Sequence, residues 1–227
     1  MLKKYQQFIQ LSWFDETELA KQGAIIGQSK GRNTTYFFEK DGKQFVLRKY
    51  YRGGLIGKLI KDSYIFTGYK YTRAYQELSL LRKMRKSNLP VPKPVAMKVE
   101  RGFLTYRASI IIRLIKKSDD LFHVLMKRPL TKSEWQDVGR LIRTFHDQGV
   151  YHSDLNIHNI LLNDKGKLWL IDFDKSKIIE PNHAVLDNNV QRLLRSLNKE
   201  ADKHPDFCWK PEDWAWLMQG YHGKTID

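Results

Sequence analysis

Tyr151-His152-Ser153-Asp154-Leu155-Asn156-Ile157-His158-Asn159, followed shortly by Leu170-Ile171-Asp172-Phe173-Asp174, is the stretch of this 227-residue sequence that decides its fold. Between the two segments, apolar runs at 160–162 and 168–171 flank the turn Asn163-Asp164-Lys165-Gly166. That pattern predicts two short strands joined as a hairpin. Upstream, Thr131-Lys132-Ser133-Glu134 has the form of a capping box and opens a helix. Trp135, Val138, Leu141, Ile142 and Phe145 share one face of that helix, and Gly149 stops it. Helix, polar loop and hairpin together put His152, Asp154, Asn159 and Asp172 on two adjacent turns.

Those residue types suit one chemistry. A hard divalent cation takes oxygen ligands, and Asn159 and Asp172 offer a carbonyl and a carboxylate. Asp154, on the same loop, is left to accept a hydrogen bond from an incoming hydroxyl, while His152 packs and bonds the loop backbone. The spacing resembles the catalytic loop H-R-D-L-x-x-x-N and the later D-F-G of protein kinases. His152, Asp154, Leu155 and Asn159 fall on the loop positions, and Asp172-Phe173 on the D-F. Taken singly these are common turn and cap residues; six matched positions after a capped helix make coincidence a poor account. The fold expected is α+β and two-lobed, with a small antiparallel-sheet N-lobe over 1–115 and a reduced helical C-lobe over 116–227. ATP and Mg²⁺ are the cofactors that follow, since phosphoryl transfer rests on alignment and charge neutralisation.

The first half should then hold the nucleotide phosphates. Residues 34–39 and 44–50 read as strands around Lys40-Asp41-Gly42-Lys43, and Asp-Gly is a strong hairpin signal. The second strand carries Arg48 and Lys49, which point to opposite faces. Arg48 is preferred as the phosphate-binding cation, with Lys49 the alternative. A helix over 73–85 follows, and Glu77, at the edge of its apolar stripe, is the expected partner of that cation. Gly27-Gln28-Ser29-Lys30-Gly31 opens the candidate phosphate-covering loop, with Gly27 and Gly31 as its glycines; it lacks a full G-x-G-x-x-G. Prolines 90, 92 and 94 end the helix region, and strands are expected over 95–99 and 104–115 around Arg101-Gly102. In the tail, Val190, Leu193, Leu194 and Leu197 form a helical stripe ahead of a tryptophan-rich segment.

Composition narrows the partners. Lys and Arg total 40 against 25 Asp and Glu, a formal net charge of +15, which favours an anionic partner. Between Arg48 and Arg73 seven basic residues face one acid, Asp62, with five tyrosines and several aliphatics interleaved. Such a mixture suits an anionic membrane surface or an acylated anionic sugar. The single cysteine, Cys208, excludes an internal disulfide and a cysteine metal cluster and suits a reducing compartment. No signal peptide or spanning segment is expected; the best apolar run, 108–115, contains Arg113.

Several positions depart from the protein-kinase pattern. Ser153 replaces the arginine that anchors a phosphorylated loop, Asn156 stands where lysine is usual, and Asp174 replaces the glycine of D-F-G. No A-P-E follows, and only 55 residues remain after Asp172, few for a lobe that docks peptides. The segments Val46-Leu47-Arg48-Lys49-Tyr50-Tyr51-Arg52-Gly53-Gly54-Leu55, Leu89-Pro90-Val91-Pro92-Lys93-Pro94 and residues 151–161 resemble the lipopolysaccharide kinase family. The Arg-Gly-Gly-Leu stretch is the specific part. The resemblance implies ATP-dependent phosphorylation of 3-deoxy-D-manno-octulosonic acid (Kdo) attached to lipid A, at the sugar 4-hydroxyl. It implies a peripheral position on the cytoplasmic face of the bacterial inner membrane, and maps the catalytic carboxylate onto Asp154. The competing expectations are a small atypical kinase or ATPase acting on a protein or in transfer-RNA modification, and a non-catalytic nucleic-acid-binding module. Retention of Asp154, Asn159 and Asp172 together disfavours the last.

Overall fold

A computed structural model describes residues 9–30, 34–50, 63–180 and 183–223. Gly31 and residues 51–62, with Arg52, Lys58, Lys61 and the Arg-Gly-Gly-Leu stretch, lie outside the described residues. The chain separates into two compact units, one of residues 1–83 and 92–114, the other of 84–91 and 115–227.

In the first unit, helix α1 (Glu16–Lys21) is N-capped by Asp15, whose carboxylate accepts from Thr17 N–H at 2.8 Å. Strands β1 (Ile25–Lys30), β2 (Thr34–Lys40), β3 (Lys43–Lys49) and β4 (Tyr64–Ile65) follow, then helix α2 (Arg73–Lys86), β5 (Pro94–Arg101) and β6 (Thr105–Arg113). The β2–β3 turn puts Asp41 and Gly42 at φ 50° and 65°, the left-handed pair that a two-residue hairpin turn needs. The sheet is antiparallel, in the order β1-β2-β3-β6-β4 with β5 also on β6. One edge of β6 is shared: β3 pairs with 109–113 and β4 with 105–106, while β5 runs along the other edge. Trp13, Phe38 and Phe45 pack with centroids 5.2–5.8 Å apart over Leu19, Leu47 and Ile111.

The second unit holds β7 (Ser118–Asp120), α3 (Leu121–Leu125), α4 (Lys132–His146), β8 (Val150–Tyr151), β9 (Ile160–Asn163), β10 (Leu168–Leu170), β11 (Lys177–Ile178), α5 (His183–Lys203) and α6 (Pro211–His222). The expected capping box is present on α4: Thr131 Oγ1 accepts from Glu134 N–H, and Glu134 accepts from Thr131 N–H. Arg128 beside it holds the Glu134 carboxyl down to about 2. The five expected apolar residues of α4 are all buried. α4 meets α6 at two glycines. A Cβ on Gly139 would lie 2.0 Å from the Leu217 carbonyl oxygen, and one on Gly220 2.0 Å from that of Gln136. The backbones touch where no side chain intervenes.

The architecture is α+β, as the sequence predicts: an antiparallel sheet in the first unit, mainly helix in the second. Segment 84–91 groups with the second unit rather than the first, since Leu170 N–H donates to Pro90 O at 3.1 Å. Helix α6 falls in the segment read only as tryptophan-rich.

Candidate active site

The loop 152–159 is held by its own side chains. His152 is 2% exposed, and its ring bridges two backbone groups. Nδ1 accepts from Asp154 N–H at 3.2 Å, and Nε2 lies 2.9 Å from the Ile171 carbonyl. A carbonyl only accepts, so Nε2 carries the proton and the ring is neutral. Burial lowers its pKa, in keeping with that state. Asn159, 8% exposed, donates from Nδ2 to the Asp154 carbonyl at 2.9 Å, which leaves Oδ1 as the open end of the amide. Asn159 also takes Ile171 N–H on its own carbonyl at 2.9 Å. Ile171 is thus fixed on both sides, and the next residue, Asp172, stands at φ 61°. Left-handed backbone is uncommon in a residue with a Cβ, and it gathers at functional sites where the surroundings enforce it. Phe173 is buried against Phe145 and the edge of His152, at 5.8 and 4.8 Å.

Asn159 Oδ1 and the Asp172 carboxylate are oxygen donors of the type a hard divalent cation takes. Two protein oxygens suit an ion whose remaining positions are filled by phosphate oxygens and water.

Asp154 is half-exposed, and its Oδ1 accepts from Arg192 Nη2 of α5 at 2.6 Å. Burial would raise its carboxyl, but the Arg192 guanidinium, with a smaller contribution from Asn156, holds the pKa below 3.8. Sequence reasoning missed Arg192, and with it the larger pattern on α5. Asn189 Oδ1 accepts from His152 N–H at 3.3 Å while its Nδ2 donates to His152 O at 2.7 Å. Ser196 Oγ accepts from Ile157 N–H at 3.3 Å, and Glu200 lies 3.9 Å from His158. Positions 189, 192, 196 and 200 recur at helical spacing, so one polar stripe of α5 follows the loop from 152 to 158. The only signal available beforehand was that this stripe borders the apolar one at 190, 193, 194 and 197.

Asn189 reaches further. Its Oδ1 lies 3.2 Å from His146 Nε2, and His146 Nδ1 lies 2.8 Å from the Tyr221 hydroxyl. Both contacts are buried, and His146, like His152, has its pKa lowered chiefly by burial.

The departures from the kinase pattern have local roles. Asn156 caps the short helical turn at 157–159, accepting from His158 N–H at 2.9 Å. Ser153 N–H donates to Ser176 Oγ at 3.0 Å and its hydroxyl to the Asp174 carbonyl, tying the loop to the segment after Phe173.

In the first unit, Arg48 Nη1 donates to Glu77 Oε1 at 2.9 Å, and the Tyr50 hydroxyl donates to Glu77 Oε2 at 2.6 Å. Glu77 is 2% exposed. Lys49, on the other face of β3, pairs with Glu16 of α1. The structure therefore brings Arg48, not Lys49, to Glu77. Gly27 was read as part of a loop; it lies instead within β1, beside an irregularity in the β1–β2 register.

A family model described as "Lipopolysaccharide kinase (Kdo/WaaP) family" matches residues 16–221. Among curated relatives, a 3-deoxy-D-manno-octulosonic acid kinase of Vibrio parahaemolyticus is 39% identical over 96% of this chain and 97% of its own length. Proteins of the same description from Mannheimia succiniciproducens and Haemophilus influenzae are 42% and 41% identical over 92% and 95% of this chain, and over 89% and 92% of their own lengths. The chain therefore belongs to the lipopolysaccharide kinase (Kdo/WaaP) family, and its α+β architecture is that of a kinase.

Proposed function

We propose that this chain transfers the γ-phosphoryl group of ATP to the 4-hydroxyl of Kdo in the Kdo–lipid A inner core of lipopolysaccharide. The observation that carries the reading is the loop itself. A half-exposed Asp154 carboxylate is kept ionised beside Arg192, its backbone carbonyl is fastened by Asn159, and Ile171, which precedes Asp172, is hydrogen-bonded to Asn159 and to His152. Near-full-length identity of about 40% to proteins described as Kdo kinases supports the acceptor.

The roles follow from the chemistry. ATP supplies the phosphoryl group, and bound Mg²⁺ would partly neutralise its charge. Asp154 accepts the hydrogen bond of the attacking hydroxyl and orients it, and takes its proton as the new oxygen–phosphorus bond forms and the bond from the γ-phosphorus to the β–γ bridging oxygen breaks, releasing ADP. Asn159 and Asp172 would hold the metal. Arg192 stands beside Asp154 and supplies the cation that protein kinases carry at the Asn156 position. Arg48, held by Glu77, binds nucleotide phosphates within an N-lobe of about 1–115, aided by backbone amides near Gly27 and Gly31. The acceptor is lipid-anchored, so the protein works as a peripheral protein on the cytoplasmic face of the inner membrane. Among the described residues no helix is long and apolar enough to cross a membrane.

Labelled ATP, Mg²⁺ and Kdo-bearing lipid A incubated with the protein should yield labelled glycolipid, with the phosphate on the 4-oxygen by NMR of the product. Asp154→Ala should abolish labelling. No label with the unsubstituted chain refutes the acceptor, and equal labelling by the variant refutes the role of Asp154.

A further inference from the structure

The β5–β6 hairpin turns through Gly102-Phe103-Leu104-Thr105, closed by Gly102 N–H donating to Thr105 O at 2.7 Å. Turns favour small or polar residues. This tip instead carries Phe103 at 91% exposure and Leu104 at 69%. Neither is needed for the turn, and neither packs into the fold.

The neighbours extend the same character. Phe66 N–H donates to Leu104 O at 2.9 Å, and β4 pairs Ile65 with Thr105, so the β4 segment lies against the tip. Ile65 is 68% exposed. The Phe66 ring sits 5.1 Å from that of Tyr69, in a short helical turn over Tyr69–Tyr71. Tyr69 and Tyr71 are 56% and 68% exposed. Five of the eight large exposed apolar side chains among the described residues therefore gather at this one corner. Contiguous exposed apolar surface of this kind marks an interaction site.

The charge around the corner selects the partner. Residues 63–73 and 98–107 contain Lys70, Arg73, Lys98, Arg101 and Arg107 against a single acid, Glu100. Arg101 lies with its guanidinium 4.7 Å above the Phe66 ring, at the base of the apolar group. Tyrosines between an apolar tip and a basic rim match the layering of a bilayer interface, with acyl chains, headgroup level and anionic phosphates in order. A second copy of the chain fits less well, because it would bring the same cations, on a body of net charge +15, against one another.

We infer that this corner is the protein's membrane-docking surface, with Phe103 and Leu104 entering an anionic phospholipid bilayer and the surrounding Lys and Arg residues engaging its phosphates. The inference deepens the proposed function, which needs a lipid-anchored acceptor, but its argument rests on surface composition alone.

Flotation of the full chain with phosphatidylcholine vesicles, with and without phosphatidylglycerol, tests it. The unsubstituted chain should float with the anionic vesicles, less so as salt is raised. Phe103→Ser with Leu104→Ser should lose at least about tenfold in affinity. Leu11→Ser, which removes an equally exposed leucine from a different element, should bind normally. Undiminished flotation of the double variant overturns the proposal, as does a variant that changes only self-association in size-exclusion chromatography. In phosphate transfer, the double variant should slow with acceptor embedded in vesicles and keep its rate with deacylated, water-soluble acceptor; equal slowing on both overturns docking. If the unsubstituted chain phosphorylates neither acceptor, the proposed acceptor fails, and flotation alone still decides whether this corner docks.

Discussion

Asp154 is asked to remain ionised in a half-buried site and yet to lie open to an alcohol. Burial alone would push it toward protonation; Arg192, 2.6 Å away, reverses the sign. Arg192→Ala should therefore let burial prevail and raise the Asp154 pKa. The acidic limb of the kcat/KM profile should move to higher pH, while kcat near neutrality falls at least about tenfold through loss of the adjacent positive charge. An unmoved acidic limb would contradict this account. At this scale Asp154, Asn159 and Asp172 were legible, because loop chemistry fixes their spacing within one short segment. Arg192 and Asn189 were not, since each reaches the loop from 38 and 37 residues further along the chain. Only the packing of α5 makes them neighbours.

Among elements, the contact of α4 with α6 shows how context overrides propensity. Alanine for glycine in a helix ordinarily stabilises by about 1 kcal/mol. At Gly139 a methyl group would sit 2.0 Å from one backbone atom and 2.6 Å from another, so the helices must separate. Gly139→Ala should destabilise by about 3 kcal/mol, seen as a lower denaturant midpoint. Gly166→Ala, with open space around its Cβ but φ of +73°, should cost only about 1 kcal/mol. Equal midpoints for the two would remove the close-approach argument. The hairpin at Asp41-Gly42, the capped α4 and the β9–β10 pair were readable from local signals. Helix α6 was not, because its glycine at 220 looks like a breaker until α4 is placed against it. The two-residue strand β4 is likewise too short to leave a period; its partner β6 defines it.

For the whole molecule, the buried histidines give stability a pH dependence. His146 and His152 both have folded pKa values below 6.5, in each case chiefly through burial. Once unfolded, both bind protons near 6.5, so the unfolded chain gains protons that the folded one refuses. Their contribution is full above about 6.5 and is lost as pH falls through that value toward the depressed folded values. The thermal midpoint should therefore drop between about pH 7.5 and 5.5, well above the range where Asp154 titrates. A flat midpoint across that interval would contradict the neutral assignment of both rings. The α+β plan was visible in the order of strand-rich and helix-rich halves. The assignment of 84–91 to the second unit was not, because it depends on a backbone contact with β10.

The polar stripe of α5 carries a consequence of another kind. Its contacts meet the loop in step, at intervals of three or four residues, because the stripe follows one helical repeat. Replacing any one side chain removes only that residue's own bonds to the loop. Inserting a single residue between Asn189 and Arg192 would rotate everything after it by about 100°, carrying Arg192, Ser196 and Glu200 off the loop at once while Asn189 stayed in place. The placement of the catalytic segment thus depends more on the length of α5 than on any one side chain of the stripe.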